Sequence, residues 1–338
     1  MYFLNSSRGG AILWGEGALL RGKLATFFMD GFLTMAAPLQ GHTDAHWRAA
    51  HASVMAPHSG AAHCYFTPFA RVEPGEVRRR DLRDAAAALT GGAVPQILFH
   101  DLREWDMLTE ALVEQGHRRI DLNLGCPFPP QVKHGRGAAL LRQPELLLAV
   151  AERMSAMHDV KFSVKMRLGV ERADEWLQVA AVIAAMPLTH VAVHSRTARE
   201  QYAGELHVDA IPAIAASILH PIVINGDISS PELLAEAAAM PGVAGAMIGR
   251  ALHCRPSLIA EWREGREWSH EERIAALLAI HAQVLSVRRE LLCGDSQLLA
   301  AMRTFWEYAE PEIGHKAAKA LRKASSMPKY LAAVAAME

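Results

Sequence analysis

The chain has 338 residues, of which 51% are hydrophobic and 21% are charged, and its formal net charge is −1. This composition is typical of a globular protein with two domains, or with one large barrel and an appendage, and no run of about 18 apolar residues predicts a membrane span. The near-zero charge excludes a globally basic nucleic-acid binder, so any RNA contact has to be a local basic surface.

Residues 1–30 contain several glycines and scattered apolar residues without a clear period, and they lack the order of segments of a signal peptide. We expect a leader that a mis-assigned translation start would explain, because Met29 and Met35 are both sensible starts. No CxxC pair occurs, which disfavours a metal knuckle or a redox dithiol and predicts reduced thiols in a cytoplasmic protein. The four cysteines are Cys64, Cys126, Cys254 and Cys293.

From Leu33 onward, short apolar runs alternate with longer Ala- and Leu-rich segments of helical period. The runs predict eight strands at Leu33–Ala37, Ala62–Phe66, Val94–Leu98, Ile120–Leu122, Ser163–Met166, His190–Val193, Ile222–Ile224 and Ala246–Ile248. The intervening segments predict helices at Asp84–Leu89, Asp106–Gln115, Pro144–Met157, Ala173–Ala185, Val208–Leu219 and Pro231–Met240. Eight such repeats favour a (β/α)8 TIM barrel over residues 31–253. A doubly wound open sheet is the alternative, although no GxGxxG follows the first strand.

Beyond Arg250 the strand pattern stops and helical period continues, for example over Glu271–Leu291 and Ser296–Tyr308. Gly294 and Gly314 are predicted to break these helices. We therefore predict an α/β fold in which the barrel is followed by an all-helical domain at residues 256–338.

In a (β/α)8 barrel the chemistry takes place at the carboxyl ends of the strands. The residues at the predicted strand ends are Pro38, Leu39, Gln40, Thr67, Gln96, Asn123, Cys126, Lys165, Arg167, His194, Asn225, Gly226, Asp227, Gly249 and Arg250. An amide, a thiol, an amine, an imidazole and a guanidinium at successive strand ends indicate an active site.

The last two strand ends have the features of a phosphate site. Asn225-Gly226-Asp227 and Gly249-Arg250 place glycine where backbone N–H groups can approach phosphate oxygens. The alternative is a simple turn, since Asn-Gly favours turns in any fold.

Lys165, His194 and Cys126 each allow two interpretations. A lysine inside the barrel needs an anionic cofactor or a carboxylate as compensation, whereas an outward lysine needs none. His194 could be a hydrogen-bonded structural residue, and Cys126 a small buried hydrophobe. Gly125 and Pro127 nevertheless predict a tight loop around Cys126. The basic, glycine-bearing stretch 132–138 after it is predicted to be a mobile lid.

Seven motifs, in order and from about Met35 onward, resemble those of the tRNA-dihydrouridine synthases. They are Ala37–Asp44, Asn123–Pro127, Gly137–Leu141, Val164–Gly169, Val193–Thr197 with Gln201–Gly204, Asn225–Asp227 and Ile248–Arg250. The chain departs from the family pattern after Gln96, where the loop is bulkier, and at Ser195, where the family usually has glycine. The helical tail is most similar to the bacterial C branch of this family.

The resemblance implies FMN-dependent reduction of the C5=C6 bond of a tRNA uridine, with NADPH or NADH as the reductant. Cys126 would donate the proton to C5, because a thiol of pKa about 8.5 stays protonated at neutral pH. Asn123, Arg167 and Arg196 would contact the substrate. FMN would be held by Pro38, Leu39, Gln40, Gln96, Lys165, His194, Asn225, Gly226, Asp227, Gly249 and Arg250.

The resemblance also implies a tRNA partner whose D-loop uridine flips out of its stack, no membrane association, and a monomer. RNA contacts are predicted at Arg78, Arg79, Arg80, Lys133, Arg136, Arg196, Arg199, Lys316, Lys319, Arg322, Lys323 and Lys329. For any one of these residues, a solvated helix face is the alternative.

Three rival functions remain open at this point. The nearest is another FMN barrel acting on a free pyrimidine, similar to dihydroorotate dehydrogenase. A non-catalytic RNA-binding protein would bind no flavin. A phosphate-binding lyase or aldolase would use Lys165 as a Schiff base.

Overall fold

The computed structural model describes residues 31–86 and 92–337. The predicted leader at residues 1–30 lies outside the described residues. The end of the helix predicted at Asp84–Leu89 lies outside them as well.

Eight parallel strands form the central sheet, which confirms the predicted barrel. They are β1 (Leu33–Ala36), β2 (Cys64–Tyr65), β3 (Gln96–Ile97), β4 (Arg119–Leu124), β5 (Lys161–Gly169), β6 (Leu188–Thr197), β7 (Ile222–Asn225) and β8 (Val243–Ile248). Their order is β2-β1-β8-β7-β6-β5-β4-β3. The two edges meet where Phe66 bridges Val94 in parallel and the Val94 N–H donates to the Tyr65 carbonyl at 2.7 Å. The strands therefore run round a ring rather than across an open sheet.

The alternation of side chains along β1 separates the two sides of this ring. Leu33, Met35 and Ala37 pack inside with Phe66 and Met247. The intervening Ala36 belongs instead to the large cluster formed between strands and helices. Successive residues of a strand point to opposite faces, so one short apolar run supplies both the barrel interior and the surface that the helices cover.

Helices follow the strands and then continue through the tail. They are α1 (Ala45–Met55), α2 (Arg79–Ala85), α3 (Leu102–Glu114), α4 (Pro129–Lys133), α5 (Pro144–Ser155), α6 (Ala180–Ala185), α7 (Ile211–Ile218), α8 (Pro231–Ala239), α9 (Arg250–Cys254), α10 (Leu258–Glu264), α11 (His270–Leu291), α12 (Asp295–Phe305), α13 (Glu310–Lys323) and α14 (Met327–Ala335). Side-chain caps fix several starts: Asp44 accepts from the Trp47 N–H, and Ser269 forms a capping box with Glu272.

The tail helices pack directly on the barrel. Arg288 of α11 donates to Asp44, the cap of α1, at 2.8 Å. Within the tail, the Tyr330 hydroxyl pairs with His281 and accepts from the Trp306 indole N–H, each at 2.7 Å. Gly294 precedes α12, and Gly314 interrupts α13 with a φ of 79°, so both predicted breaks are present. The boundary placed near residue 255 remains a prediction, because one hydrophobic cluster spans barrel and tail.

Several predicted helices are wrong in their bounds: the helix predicted from Asp106 starts at Leu102, and a 3-10 turn at Val208–Ala210 comes before α7. Two others have a clear physical reason. The first lies at Arg79–Ala85 instead of starting at Asp84, and Asp81 in its first turn favours that start through the helix dipole. In the segment Ala173–Ala185, a 3-10 turn at Glu175–Gln178 comes before α6. The Glu175 carboxylate accepts from three backbone N–H groups at residues 170–172, which ties this segment to the end of β5.

Strands β5 and β6 are also longer than predicted, since they continue through charged residues that end an apolar run in the sequence. In the part of the chain that the structure describes, no helix is both long enough and apolar enough to cross a membrane.

Candidate active site

One cavity of about 1050 Å³ opens at the carboxyl ends of the strands. This volume lies at the upper end of the range typical of small-molecule and cofactor sites. The structure brings together every predicted site residue except Arg196 around this cavity: Pro38, Leu39, Gln40, Gln96, Asn123, Cys126, Lys165, Arg167, His194, Asn225, Gly226, Asp227, Gly249 and Arg250.

Arg196 lies behind the cavity wall, with only 4% of its surface exposed. Its guanidinium donates to the Gly204 carbonyl at 2.6 Å and to the Asp227 carboxylate at 2.5 Å. The predicted substrate or RNA contact does not fit this buried position, because Nε and Nη2 of the guanidinium already donate to protein acceptors. The sequence could not show this, since Asp227 comes from a loop 31 residues further along the chain.

Cys126 sits on a loop fixed by hydrogen bonds at both ends. Its N–H donates to Asn123 Oδ1 at 2.8 Å, and its carbonyl accepts from the Ala138 N–H at 3.2 Å. Gly137, with a φ of 63°, packs against it so closely that a Cβ there would lie 2.7 Å from Cys126 Cβ. Burial raises the pKa of the Cys126 thiol, so the thiol remains protonated at neutral pH.

In the segment after Cys126, Arg136 connects to the barrel through buried contacts. Arg136, a predicted RNA contact, is buried and paired with the buried carboxylate of Glu104, to which its Nε donates at 3.1 Å. It also donates to the Val72 carbonyl at 3.2 Å. The RNA contact predicted at Arg136 does not fit this buried, paired position. The mobile lid at 132–138 remains a prediction.

Lys165 faces inward and lines the cavity, so the outward alternative does not apply. Burial, with a smaller contribution from nearby Arg167, lowers the pKa of Lys165 to about 8. Among the described residues no hydrogen bond to its Nζ is found, although Asp121 and Cys126 act on it electrostatically. An ammonium that has no protein acceptor at the base of a cavity fits an electron-rich ligand.

His194 is buried in a cationic surrounding. Burial first, and then the charges of Lys165, Arg167, Arg196 and Arg250, hold its pKa well below the ordinary value. The imidazole is therefore neutral at physiological pH, so it can donate one hydrogen bond and accept another, but it cannot act as a charged acid.

The two predicted phosphate loops meet at Asp227. Its carboxylate accepts from Arg196 and, at 2.8 Å, from Arg250, and the Arg196 hydrogen bond is the main cause that lowers its pKa. Gly226 has a φ of 129°, and a Cβ there would lie 2.6 Å from Leu206 and 3.1 Å from His194. Only glycine fits this turn, whose backbone reaches the cavity.

Several residues in and below the site were missed by the sequence analysis. Tyr202, 49% exposed, lies between the guanidiniums of Arg167 and Arg250, whose carbons are 5.2 and 4.8 Å from its ring centre. Phe128 at the rim is 57% exposed. Asp121 lies beneath the floor, and strand alternation could have identified it, because it precedes Asn123 by two residues.

The tail contributes Tyr308 and Glu312 to the cavity lining, next to His42 of the barrel. His42 and Tyr308 rings lie 4.7 Å apart. The mouth of the site is therefore built by both parts of the chain.

The described geometry can be compared with known proteins. The family model described as "Dihydrouridine synthase (Dus)" matches residues 35–329, which is most of the chain. The chain belongs to the dihydrouridine synthase family. The matched residues of this dihydrouridine synthase family member include its Cys126 loop, Lys165 and the two phosphate-type loops.

Curated relatives support the same family. The chain is 34% identical over 208 residues to tRNA-dihydrouridine synthase B of Pseudomonas putida, covering 57% of this chain and 62% of the relative. It is 33% identical to the Vibrio cholerae protein of that name over 60% of this chain and 61% of the relative. It is also 33% identical to tRNA-dihydrouridine(16) synthase of Neisseria meningitidis, over 45% and 46%. The matched region therefore spans from under half to about three fifths of these relatives.

Proposed function

We propose that the chain reduces the C5=C6 bond of a uridine in tRNA to 5,6-dihydrouridine, with Cys126 as the proton donor. The observation on which this proposal rests is a protonated thiol on a fixed loop that shares a cavity with a lysine ammonium. Within residues 31–86 and 92–337, that ammonium has no hydrogen-bond acceptor. Saturating the bond requires a hydride equivalent at C6 and a proton at C5, so the protein must present an acid beside a bound electron donor.

The residues present fit a flavin. The Lys165 ammonium lacks a hydrogen-bond acceptor among the described residues, and the Gly226 turn keeps side chains out of the space next to His194. FMN, when bound, would supply the hydride chemistry. Lys165 would stabilise negative charge on the ring, and the backbone at Asn225–Asp227 and Gly249-Arg250 would hold the phosphate. Pro38, Leu39, Gln40, Gln96 and His194 would border the ring.

Cys126 would hold its proton until the base carbon accepts it. The raised pKa serves this role, since a thiolate could not donate. Its fixed backbone limits the positions of the sulfur, which lowers the entropic cost of alignment. Arg167 is 1% exposed and donates to the carbonyls of Gly125, Thr197 and Gln201 at 2.7–3.0 Å. It therefore shapes the walls of the base pocket and presents its remaining edge toward Tyr202.

Asn123 takes part mainly by holding the Cys126 loop. Its Oδ1 accepts from the Gly125 and Cys126 N–H groups, and its Nδ2 donates to Gln96 at 2.7 Å. A direct substrate contact from Asn123 would have to use the second N–H of Nδ2, because both lone pairs of Oδ1 accept from the loop.

A tRNA partner is supported by the names of the relatives and by exposed lysines of the tail. Lys316, Lys319, Lys323 and Lys329 are exposed, whereas Arg322 pairs with Glu310 at 2.6 Å. These cations would attract phosphates in a salt-dependent way. The D-loop position, NADPH or NADH as reductant, a monomeric state, a cytoplasmic location and membership of the C branch are parts of the same proposal.

The test incubates purified protein and NADPH with a tRNA transcript that carries no modified bases, followed by nucleoside mass spectrometry. The proposal predicts a nucleoside heavier than uridine by two hydrogens, and a yellow, flavin-containing protein. A protein with flavin that leaves tRNA unchanged and oxidises dihydroorotate would favour the free-pyrimidine alternative. A colourless protein that borohydride traps on a carbonyl substrate would favour Schiff-base chemistry at Lys165.

A further inference from the structure

Asp121 is a fully buried carboxylate in the row of side chains directly below the site. Strand register places it opposite Gln96 on β3 and opposite Ser163 on β5. The next inward row along β4 and β5 contains Asn123 opposite Lys165. Alternation along a strand therefore brings one carboxylate beneath both the Cys126 loop and the lysine.

A continuous chain of hydrogen bonds connects Asp121 with the backbone of Cys126. Gln96 Nε2 donates to Asp121 Oδ2 at 2.7 Å, and Asn123 Nδ2 donates to Gln96 Oε1 at 2.7 Å. The Gly125 and Cys126 N–H groups donate to Asn123 Oδ1 at 3.0 and 2.8 Å. Ser163 Oγ donates to the other oxygen of Asp121 at 2.6 Å.

The direction of this chain follows from its first member. An ionised carboxylate can only accept hydrogen bonds, so it turns the amide nitrogen of Gln96 toward itself. The Gln96 oxygen then faces Asn123, whose own oxygen has to face the loop N–H groups. Without a group at position 121 that can only accept, the side-chain amides of Gln96 and Asn123 could both reverse. Asn123 would then present its nitrogen to the N–H groups of the Cys126 loop, and donors would face donors.

The charge on Asp121 is set by its surroundings. Burial raises its pKa to about 6, against the opposing effects of Gln96, Ser163 and the ammonium of Lys165. At neutral pH the carboxylate is ionised and pairs electrostatically with Lys165, the one charged group acting on it among the described residues. The Gln96 amide and the Ser163 hydroxyl donate the hydrogen bonds that its carboxylate accepts.

We infer that Asp121 is a positioning residue: through Gln96 and Asn123 it fixes the orientation of the loop that holds the Cys126 thiol. This inference rests on the proposed function for its catalytic consequence. Its structural part, a loop held through two oriented amides, concerns the protein alone and can be measured without tRNA.

The experiment compares wild type with Asp121→Leu and with the matched variant Asp121→Asn. Leucine removes the acceptor, whereas asparagine keeps an oxygen for Gln96 and turns its amide nitrogen toward Ser163 Oγ, which can accept. Two readouts are measured: kcat and KM for dihydrouridine formation, and the rate of Cys126 alkylation by iodoacetamide, followed by peptide mass spectrometry. Thermal unfolding of each variant checks that it is folded.

We expect Asp121→Leu to lower kcat by about 10- to 100-fold with little change in KM for tRNA, as a displaced acid does. Alkylation of Cys126 should become several-fold faster as the loop opens. Asp121→Asn should restore both values to within about threefold of wild type, given its intact chain.

A folded Asp121→Leu variant with wild-type kcat and alkylation would overturn the inference. So would Asp121→Asn if it were as impaired as the leucine variant. If Asp121→Leu does not fold, Gln96→Met breaks the hydrogen-bond chain one link nearer to Cys126. The rate of Cys126 alkylation in the Gln96→Met variant then decides the inference in the same way. Wild-type protein that forms no dihydrouridine would refute the proposed function, while the alkylation comparison would still decide the inference.

Discussion

Lys165 should make the affinity for flavin depend on pH in the alkaline range. Burial is the main cause that lowers its pKa from 10.5 to about 8. That change corresponds to a cost of about 3 kcal/mol for keeping the ammonium charged at this position in the flavin-free protein. An electron-rich ligand at Nζ would offset part of this cost, and the pKa of Lys165 would rise on binding.

The sign of the effect follows from proton linkage. The charged form, which binds, is present below a pH of about 8 and is lost as the pH rises through that value. Between pH 7 and pH 9.5 the Kd for FMN should therefore increase by about 30-fold if only the ammonium binds. Below pH 7 the Lys165 contribution should be flat.

Fluorescence titration of flavin-free protein with FMN, at constant ionic strength, measures this dependence. Lys165→Met should bind more weakly at pH 7 and lose the alkaline change. Lys161→Met is the matched control, because Lys161 is an exposed residue at the opposite end of the same strand. A wild-type Kd that stays constant from pH 7 to pH 9.5, or a Lys165→Met variant that keeps the wild-type profile, would refute the reasoning.

Two further predictions concern the segment after Cys126. Glu104→Gln leaves Arg136 without its buried partner, so the free energy of unfolding in urea should fall by about 3 kcal/mol. The control, Asp174→Asn, breaks an exposed pair and should change the free energy of unfolding by less than about 1 kcal/mol. If the two variants lowered the free energy of unfolding equally, the result would contradict a stabilising role for the buried Glu104–Arg136 pair. Gly137→Ala puts a Cβ at 2.7 Å from Cys126 Cβ with a φ of 63°, and single-turnover dihydrouridine formation should slow by about 10-fold or more. An unchanged rate would mean that the Cys126 loop can shift to accommodate the added Cβ without loss of activity.

Strand periodicity predicts much of the barrel, because its apolar runs have to cover both faces of a closed sheet. The inward position of Lys165 also follows from alternation, and the same rule applied one step earlier would have found Asp121. The hydrogen-bond partners of Arg196 cannot be predicted from strand alternation. Its guanidinium turns to Gly204 and Asp227, which are brought there by two loops that no local pattern encodes.

The predicted bounds of some helices were wrong for a related reason. The helix at Arg79–Ala85 begins among arginines that resemble a solvated basic run, and the turn at Glu175–Gln178 forms because Glu175 binds backbone N–H groups of a neighbouring loop. Tertiary hydrogen bonds of this kind override the period of the sequence. The burial of Arg136 has a similar cause, since its partner Glu104 lies on α3, far from Arg136 in the chain.

The central claim is that Cys126 gives its proton to a tRNA uridine, and single-turnover reduction of a tRNA transcript tests it most directly. The wild-type protein, preloaded with reduced flavin in D₂O, should form dihydrouridine carrying one solvent-derived deuterium at C5. Cys126→Ala should keep its flavin and its flavin-reduction rate but form dihydrouridine at least about 100-fold more slowly. A Cys126→Ala variant that forms dihydrouridine at the wild-type rate would contradict the account.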